Sequence, residues 1–193
     1  MEFISFDEAV DALADLGIYP DFPDEAHLRF EPDPDQLPED ACFLHLADAG
    51  CDAASLDGAR RITLPKDDLA GAVESMIGVL RLAQVLVFPV GKWRTVFDAV
   101  AFSMASDEHW QEVDAMASVE LNTRDPLLCE PGDYHTLRRL VGALLSDAES
   151  PDQGITITTT GAPLLVEVVP QGALRVMLGN QALADEVTEA LHI

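Results

Sequence analysis

Basic residues are scarce in this sequence of 193 residues. Lys and Arg number 11 against 35 Asp and Glu, which gives a formal net charge of −24 at pH 7. A protein with this charge repels the phosphates of nucleic acids and the surfaces of anionic membranes. We therefore expect neither a nucleic acid partner nor a membrane partner, and no pattern in the sequence indicates an oligomeric state.

Cysteines and long apolar runs are also few. Cys42, Cys51 and Cys129 are an odd number without the spacing of a disulfide framework, which is typical of a reducing compartment. The apolar runs, such as VLVFPV at 85–90, are too short to span a membrane, and the first ten residues are acidic where a signal peptide would be basic. These features predict a soluble, cytoplasmic protein.

Sequence signatures of catalysis and cofactor binding are missing as well. There is no G-x-S-x-G, H-E-x-x-H or G-x-G-x-x-G motif. Gly91 and Lys92 follow an apolar run as in a phosphate loop, but Leu86 stands where that loop needs glycine and Trp93 where it needs Ser or Thr. We predict no nucleotide site, no cofactor and no committed catalytic residue, and we interpret Gly91 as a tight turn from strand to helix.

The side chains that suit a metal ion are Cys42, His45 and Cys51. On an alternating strand, however, residues 42 and 45 point to opposite faces, and no fourth ligand is evident. We therefore predict no metal site.

The acidic charge that is present is concentrated in the first third of the chain. Residues 1–59 contain 16 acidic residues and only Arg29, a net charge of −15, whereas residues 60–193 have a net charge of −9. Four explanations of this excess of acidic residues are open. They are adaptation to a salty cytoplasm, a biased genome composition, imitation of a nucleic acid and attraction of a basic protein.

Hydrophobic periodicity predicts a single α/β domain over residues 1–193. Three segments read as strand, proline, polar turn and amphipathic helix, with prolines at 65, 89 and 131, and an extra helix-length insertion at 106–121 precedes the third. We expect parallel strand-helix units, followed by an antiparallel meander over residues 154–179 and a final helix capped by Asn180. The predicted fold is a mixed sheet with helices packed on it.

Residues 19–40 form a Pro/Asp-rich segment with five prolines, for which we predict an extended arm. Its densest acidic cluster, the candidate contact with a basic partner, is Asp33, Asp35, Glu39 and Asp40. In the competing interpretation Phe22, Leu28 and Phe30 attach the arm to the core and the acids are only solvated.

The turns after the predicted strands provide a second candidate site. If these strands are parallel neighbours, loops 65–68, 89–94 and 131–136 gather at one edge of the sheet. The candidate ligand-binding residues there are Lys92, Trp93, Arg94, Asp133, Tyr134 and His135. The hypothesis we favour from sequence is a non-enzymatic protein that binds a basic protein, and the alternative is a small-molecule-binding protein or enzyme that uses this edge.

Overall fold

A mixed eight-stranded sheet forms the centre of the computed structural model, which describes residues 1–33, 35, 39–117 and 119–192. The strands are β1 (Glu2–Phe3), β2 (Ile18–Asp21), β3 (Arg29–Pro32), β4 (Cys42–Ala47), β5 (Arg60–Thr63), β6 (Val85–Pro89), β7 (Leu127–Cys129), β8 (Ile155–Thr158), β9 (Leu164–Val169) and β10 (Ala173–Leu178). The helices are α1 (Phe6–Ala14), α2 (Lys66–Val79), α3 (Trp93–Val100), α4 (Glu108–Met116), α5 (Tyr134–Asp147) and α6 (Gln181–Ala190).

The α/β fold class and the mixed sheet predicted from sequence are confirmed. The strand order is β1-β7-β6-β8-β9-β10-β4-β5, and β2 and β3 form a separate two-stranded hairpin. The antiparallel meander of β8, β9 and β10 is also as predicted, and the Asn180 side chain accepts a hydrogen bond from the Leu183 amide at the start of α6. Within the described residues no helix combines the length and apolar character needed to cross a bilayer.

The expected parallel neighbours occur only once in the described sheet, between β4 and β5. The prediction is wrong for β6 and β7, which are adjacent but antiparallel. The insertion before β7 explains the difference, because it forms α4. One connecting helix returns the chain to the end where the previous strand began, whereas two successive helices, α3 and α4, leave it at the end where β6 stopped, so β7 runs back.

Helices α2 to α6 cover one face of the sheet and form the main core. Its fully buried members include Trp93, Leu140, Ile157 and Val176. Trp110 stacks on Phe97 with ring centroids 4.6 Å apart, which joins α4 to α3. Burial of side chains on this scale is the main stabilising contribution to such a domain.

The opposite face of the sheet is covered by two unlike parts. Helix α1 and the β2–β3 hairpin form a second core there, in which Leu28 and Phe30 are buried and the Phe30 ring lies 4.6 Å from that of Phe88. Residues 19–32 of the predicted extended arm therefore belong to a hairpin that packs on the sheet. Leu28 and Phe30 of the competing interpretation are buried in this core, whereas Phe22 is 49% exposed and reaches it only through the Phe6 ring, with centroids 6.4 Å apart.

The rest of that face is covered by residues 48–59, which we call the crossover loop. This segment joins the parallel strands β4 and β5, so it has to return the full length of β4 to the end where both strands begin. It does so without regular secondary structure, and Cys51 packs against Ala47 and Ala173 on the sheet.

Candidate functional site

The strand-end loops do not form one site. Strands β5 and β6 run in the same direction, but four strands separate them, which places loops 65–68 and 89–94 about 24 Å apart at a strand spacing of about 4.8 Å. Loop 131–136 follows β7, which is antiparallel to β6. This loop therefore lies at the opposite end of the strands from loop 89–94. The proposed convergence of the three loops is wrong for this topology.

The loop around Gly91 has the structure of a tight turn. The Gly91 amide donates to the Asp152 carbonyl oxygen at 3.0 Å, and a Cβ at position 91 would lie 2.5 Å from that oxygen. Trp93 is fully buried and its indole Nε1 donates to the Asp125 carbonyl at 2.7 Å. Lys92 and Arg94 are exposed. Because neither the Gly91 amide nor Trp93 is available to a ligand, this loop contains no preformed phosphate cradle.

The predicted residues at 133–135 mostly serve the local structure. The Asp133 carboxylate binds the Met1 ammonium at 2.8 Å, and the Tyr134 hydroxyl donates to the Leu82 carbonyl at 2.8 Å. Burial raises the pKa of Asp133, but hydrogen bonds from the Met1 ammonium and the Glu130 amide outweigh it, so this pKa lies below its ordinary value. His135 is exposed. A ligand-binding role for these residues stays a prediction.

The acidic cluster predicted at 33–40 has mixed roles. The Asp33 carboxylate accepts a hydrogen bond from the Asp35 amide at 2.9 Å, and that of Asp40 accepts one from the Gln181 amide, at the start of α6, at 3.3 Å. Asp35 and Glu39 are exposed, and positions 34 and 36–38 of the predicted arm lie outside the described residues. A partner contact at this cluster stays a prediction.

A larger acidic surface lies on α1, which we call the acidic face. Ala9 and Leu13 turn inward to the second core, so the acids at the remaining positions point away from the sheet. The acidic face consists of Asp7, Glu8 and Asp11 on α1 and Asp15, the residue that caps its C-terminal end, all exposed. Within the described ranges no Lys, Arg or His lies within ion-pair distance of these four carboxylates. The sequence showed that this segment is acidic. It did not show that α1 packs on the sheet with these acids on its outer side.

A cleft of about 160 Å³ separates the hairpin from the crossover loop. Its walls include Phe30 on the hairpin and Leu56 on the crossover loop, and apolar side chains of the sheet contribute to its floor. Beside them Arg175 and Glu167 form an ion pair, in which Nη1 of Arg175 lies 3.0 Å from both carboxylate oxygens. A cavity of this volume accommodates a group about the size of benzene.

The most unusual side chain on this face is His45, which sequence analysis considered only as a strand residue and as a candidate metal ligand. His45 is 0% exposed, and neither of its ring nitrogens has a hydrogen-bond partner in the part of the chain that the structure describes. Arg61 on β5 and Arg175 on β10 are its register partners on either side. Burial lowers the pKa of His45, and the two neighbouring guanidinium groups lower it further, so the neutral ring is favoured at pH 7.

The candidate metal ligands Cys42 and His45 lie on opposite faces of β4. Among the residues described, no three His, Cys, Asp or Glu side chains are placed to hold a metal ion. The Cys42 thiol is a hydrogen-bond donor to the Gln181 amide oxygen at 3.1 Å, and burial followed by the charges of Asp185 and Asp40 raises its pKa. Cys42 thus lies against α6 and not beside His45.

Comparison with known proteins provides no relative for this chain. No protein-family model, no curated protein and no solved structure matches it. Functional conclusions therefore rest on its own charges, contacts and buried groups.

Proposed function

We propose that this protein acts by binding a basic protein partner and that the acidic face of α1 is central to the contact. The observation that carries the proposal is the set of four outward carboxylates on one helix with no neutralising base in reach among the described residues. Charges of one sign that are not neutralised locally attract an oppositely charged partner and accelerate its association.

Exposed aromatic side chains beside the acidic face support the same proposal. Tyr19 on β2, which α1 contacts, is 40% exposed, and Phe22 just beyond β2 is 49% exposed. Tyr, Phe and Trp are enriched in protein interfaces, and Tyr and Trp are frequent among the residues that contribute most to binding. The Arg124 guanidinium lies 5.5 Å from the centre of the Phe22 ring, so this ring already accepts a cation on its face.

The acidic face is a better test of the proposal than the cluster at 33–40. Asp33 and Asp40 hydrogen-bond backbone amides, so their substitution also changes the local structure. The four carboxylates of the acidic face make no such bonds in the described structure, so their neutralisation removes no hydrogen bond to the backbone. The alternative of an enzyme or ligand site at the strand-end loops has less support, because those loops lie apart.

The experiment compares two variants with the same change of charge. The first neutralises the acidic face by Asp7→Asn, Glu8→Gln, Asp11→Asn and Asp15→Asn. The control neutralises four exposed acids on α3 and α4, across the sheet, by Asp98→Asn, Glu108→Gln, Glu112→Gln and Asp114→Asn. Both variants remove acidic charge from the first turn of a helix, so the effects on the helix dipole are similar in kind.

Partners captured from native lysate at low salt are identified, and their association rates with purified protein are then measured. We expect the first variant to slow association by about tenfold or more at low salt and the control to change it by about twofold at most. A partner whose binding responds equally to both variants would indicate general charge attraction and contradict a site on α1. A companion variant of Asp33, Asp35, Glu39 and Asp40 to Asn or Gln measures the contribution of that cluster.

A further inference from the structure

A row of three nitrogen-rich side chains crosses the sheet beneath the crossover loop. Arg61, His45 and Arg175 occupy directly opposed positions on β5, β4 and β10. Side chains at such positions stand on one face with Cβ atoms about 5 Å apart. In a protein with 35 acidic residues, this row is a local concentration of hydrogen-bond donors for an anion.

Both arginines in the row donate a hydrogen bond to the crossover loop. Nη2 of Arg61 donates to the Cys51 carbonyl oxygen at 3.2 Å, and Nε of Arg175 donates to the Ala54 carbonyl oxygen at 3.0 Å. Arg61 makes no ion pair with any residue that the structure describes. Arg61 thus holds only a neutral carbonyl oxygen, where guanidinium groups usually hold carboxylate or phosphate oxygens, whereas Arg175 also binds the Glu167 carboxylate.

His45 supplies a second, independent observation. Its ring is completely buried, yet both nitrogens are without a partner among the described residues. Nearly all buried polar side chains in native proteins have a hydrogen-bond partner, and an exception calls for a bound group or a functional role. The two arginines repel the protonated ring, whereas an anion between the three side chains accepts hydrogen bonds from all of them.

We propose that Arg61, His45 and Arg175 bind a phosphate group when the crossover loop lifts from the sheet. Three donors on three strands suit a phosphate, which offers three terminal oxygens, better than a carboxylate, which offers two. The loop carbonyls of Cys51 and Ala54 then give way to phosphate oxygens. The loop contains no helix or strand to hold it in place.

The adjoining cleft identifies the class of ligand further. Arg175 lines the cleft together with Phe30 and Met177, which belong to the hairpin and the sheet and stay in place when the crossover loop lifts, so a group attached to the phosphate has an apolar surface beside it. The ligand is therefore a small phosphate monoester with an apolar or ring-sized organic part. Inorganic phosphate shares its chemistry and binds the same row more weakly, because it leaves the cleft empty.

Calorimetric titration of the full chain with inorganic phosphate, phenyl phosphate and benzoate at constant ionic strength tests the site. We expect saturable binding of both phosphates, at least several-fold tighter for phenyl phosphate, and weaker or no binding of benzoate. Arg61→Gln is expected to weaken phosphate binding tenfold or more. The matched control is Arg60→Gln, since Arg60 is the preceding residue on β5, is also exposed, and points to the opposite face of the sheet.

His45→Leu separates binding from folding, since it removes the buried polar ring without leaving an unpaired group. It is expected to abolish phosphate binding without lowering the melting temperature. The outcome that overturns the site is a chain that binds neither phosphate, or one in which Arg60→Gln weakens binding as much as Arg61→Gln. If neither phosphate binds, His45 meets only a buried water. If Arg60→Gln weakens binding as much as Arg61→Gln, surface charge alone holds the anion.

Cys51 reports the movement of the loop. It is buried in the closed loop, whereas Cys129 is buried in the main core and has its pKa raised to about 12, chiefly by burial. In a Cys42→Ser variant, saturating phenyl phosphate is expected to raise the alkylation rate of Cys51 several-fold and leave that of Cys129 unchanged. Phosphate binding without faster alkylation of Cys51 would contradict the lifting of the loop.

Discussion

His45 on β4 lies directly opposite Arg175 on β10, a buried imidazole without a hydrogen bond beside a guanidinium that donates to a loop carbonyl and a carboxylate. A neutral ring in this position forgoes its hydrogen bonds with water and gains none from the described protein. The arrangement lowers the stability of the folded protein and is the central contact of the phosphate site proposed above.

His45→Leu should therefore stabilise the protein. Replacing an unsatisfied buried polar group with an apolar one of similar size recovers about 1–3 kcal/mol of unfolding free energy. The control is Thr158→Val, because the Thr158 hydroxyl is equally buried but donates to the Leu164 carbonyl at 2.8 Å. That change should lower the free energy of unfolding by about 0.5–1.5 kcal/mol. Urea titrations at pH 8 compare the two variants, and a destabilised His45→Leu protein would contradict an unpartnered ring.

The same histidine should produce a specific dependence on pH. Its pKa in the folded state lies below the ordinary value of 6.5, so below pH 6.5 the unfolded chain takes up a proton that the folded protein does not. The contribution of His45 to stability is thus complete above pH 6.5 and is lost as the pH falls through the folded-state pKa. Arg61 and Arg175 are the charged groups that face it.

Urea titrations of wild type and His45→Leu from pH 8 to pH 5 measure this contribution. The difference in free energy of unfolding between the two proteins should be constant above about pH 7 and widen in favour of the variant at lower pH. Other titrating groups cancel in this difference. If the difference in free energy of unfolding stays constant down to pH 5, His45 has the same pKa in the folded and unfolded states.

Gly91→Ala should destabilise the protein, because its Cβ would lie 2.5 Å from the backbone oxygen of Asp152. Overpacking of this kind costs about 1–3 kcal/mol. Gly78→Ala is the control, since a Cβ at this position inside α2 would have no atom within 4 Å, and alanine is the better helix former by about 0.5–1 kcal/mol. Chemical denaturation should move the midpoints of these two variants in opposite directions. A tolerated alanine at 91 would mean that the loop adjusts.

Salt should raise the melting temperature, because a net charge of −24 destabilises the compact state through self-repulsion. If screening alone is responsible, most of the rise occurs by about 0.15 M KCl, where the screening length is about 8 Å. The acidic-face variant should show a smaller rise. A continued rise into molar KCl would favour adaptation to a salty cytoplasm, and a melting temperature that salt leaves unchanged would rule out both effects.

ATP and GTP with magnesium should leave the tryptophan fluorescence unchanged. Trp93 is buried beside the Gly91–Lys92 pair, and the Gly91 amide is already bonded to Asp152. Trp110, on α4, contributes a constant background. A saturable change in the micromolar range that Lys92→Ala abolishes would disprove the prediction.

The pattern of apolar residues was sufficient to predict the helices at 108–116 and 181–190 and the C-terminal meander, because each depends on local periodicity and capping. It did not predict that Asp133 and Lys92 lie at opposite ends of the strands. That outcome depends on whether one helix or two connect neighbouring strands, and the direction of β7 follows from how α3 and α4 pack.

The sequence by itself determined the charge of the protein, its α/β class and the absence of a phosphate-loop signature, since these depend on composition and on neighbours along the chain. Only the tertiary structure decided which distant residues meet. Arg61, His45 and Arg175 come from three separate segments, and only pairing of β5, β4 and β10 aligns them. The outward direction of the acids on α1 likewise required the burial of Ala9 and Leu13 against the sheet, because packing against a surface, and not periodicity alone, decides which side of a helix faces the solvent.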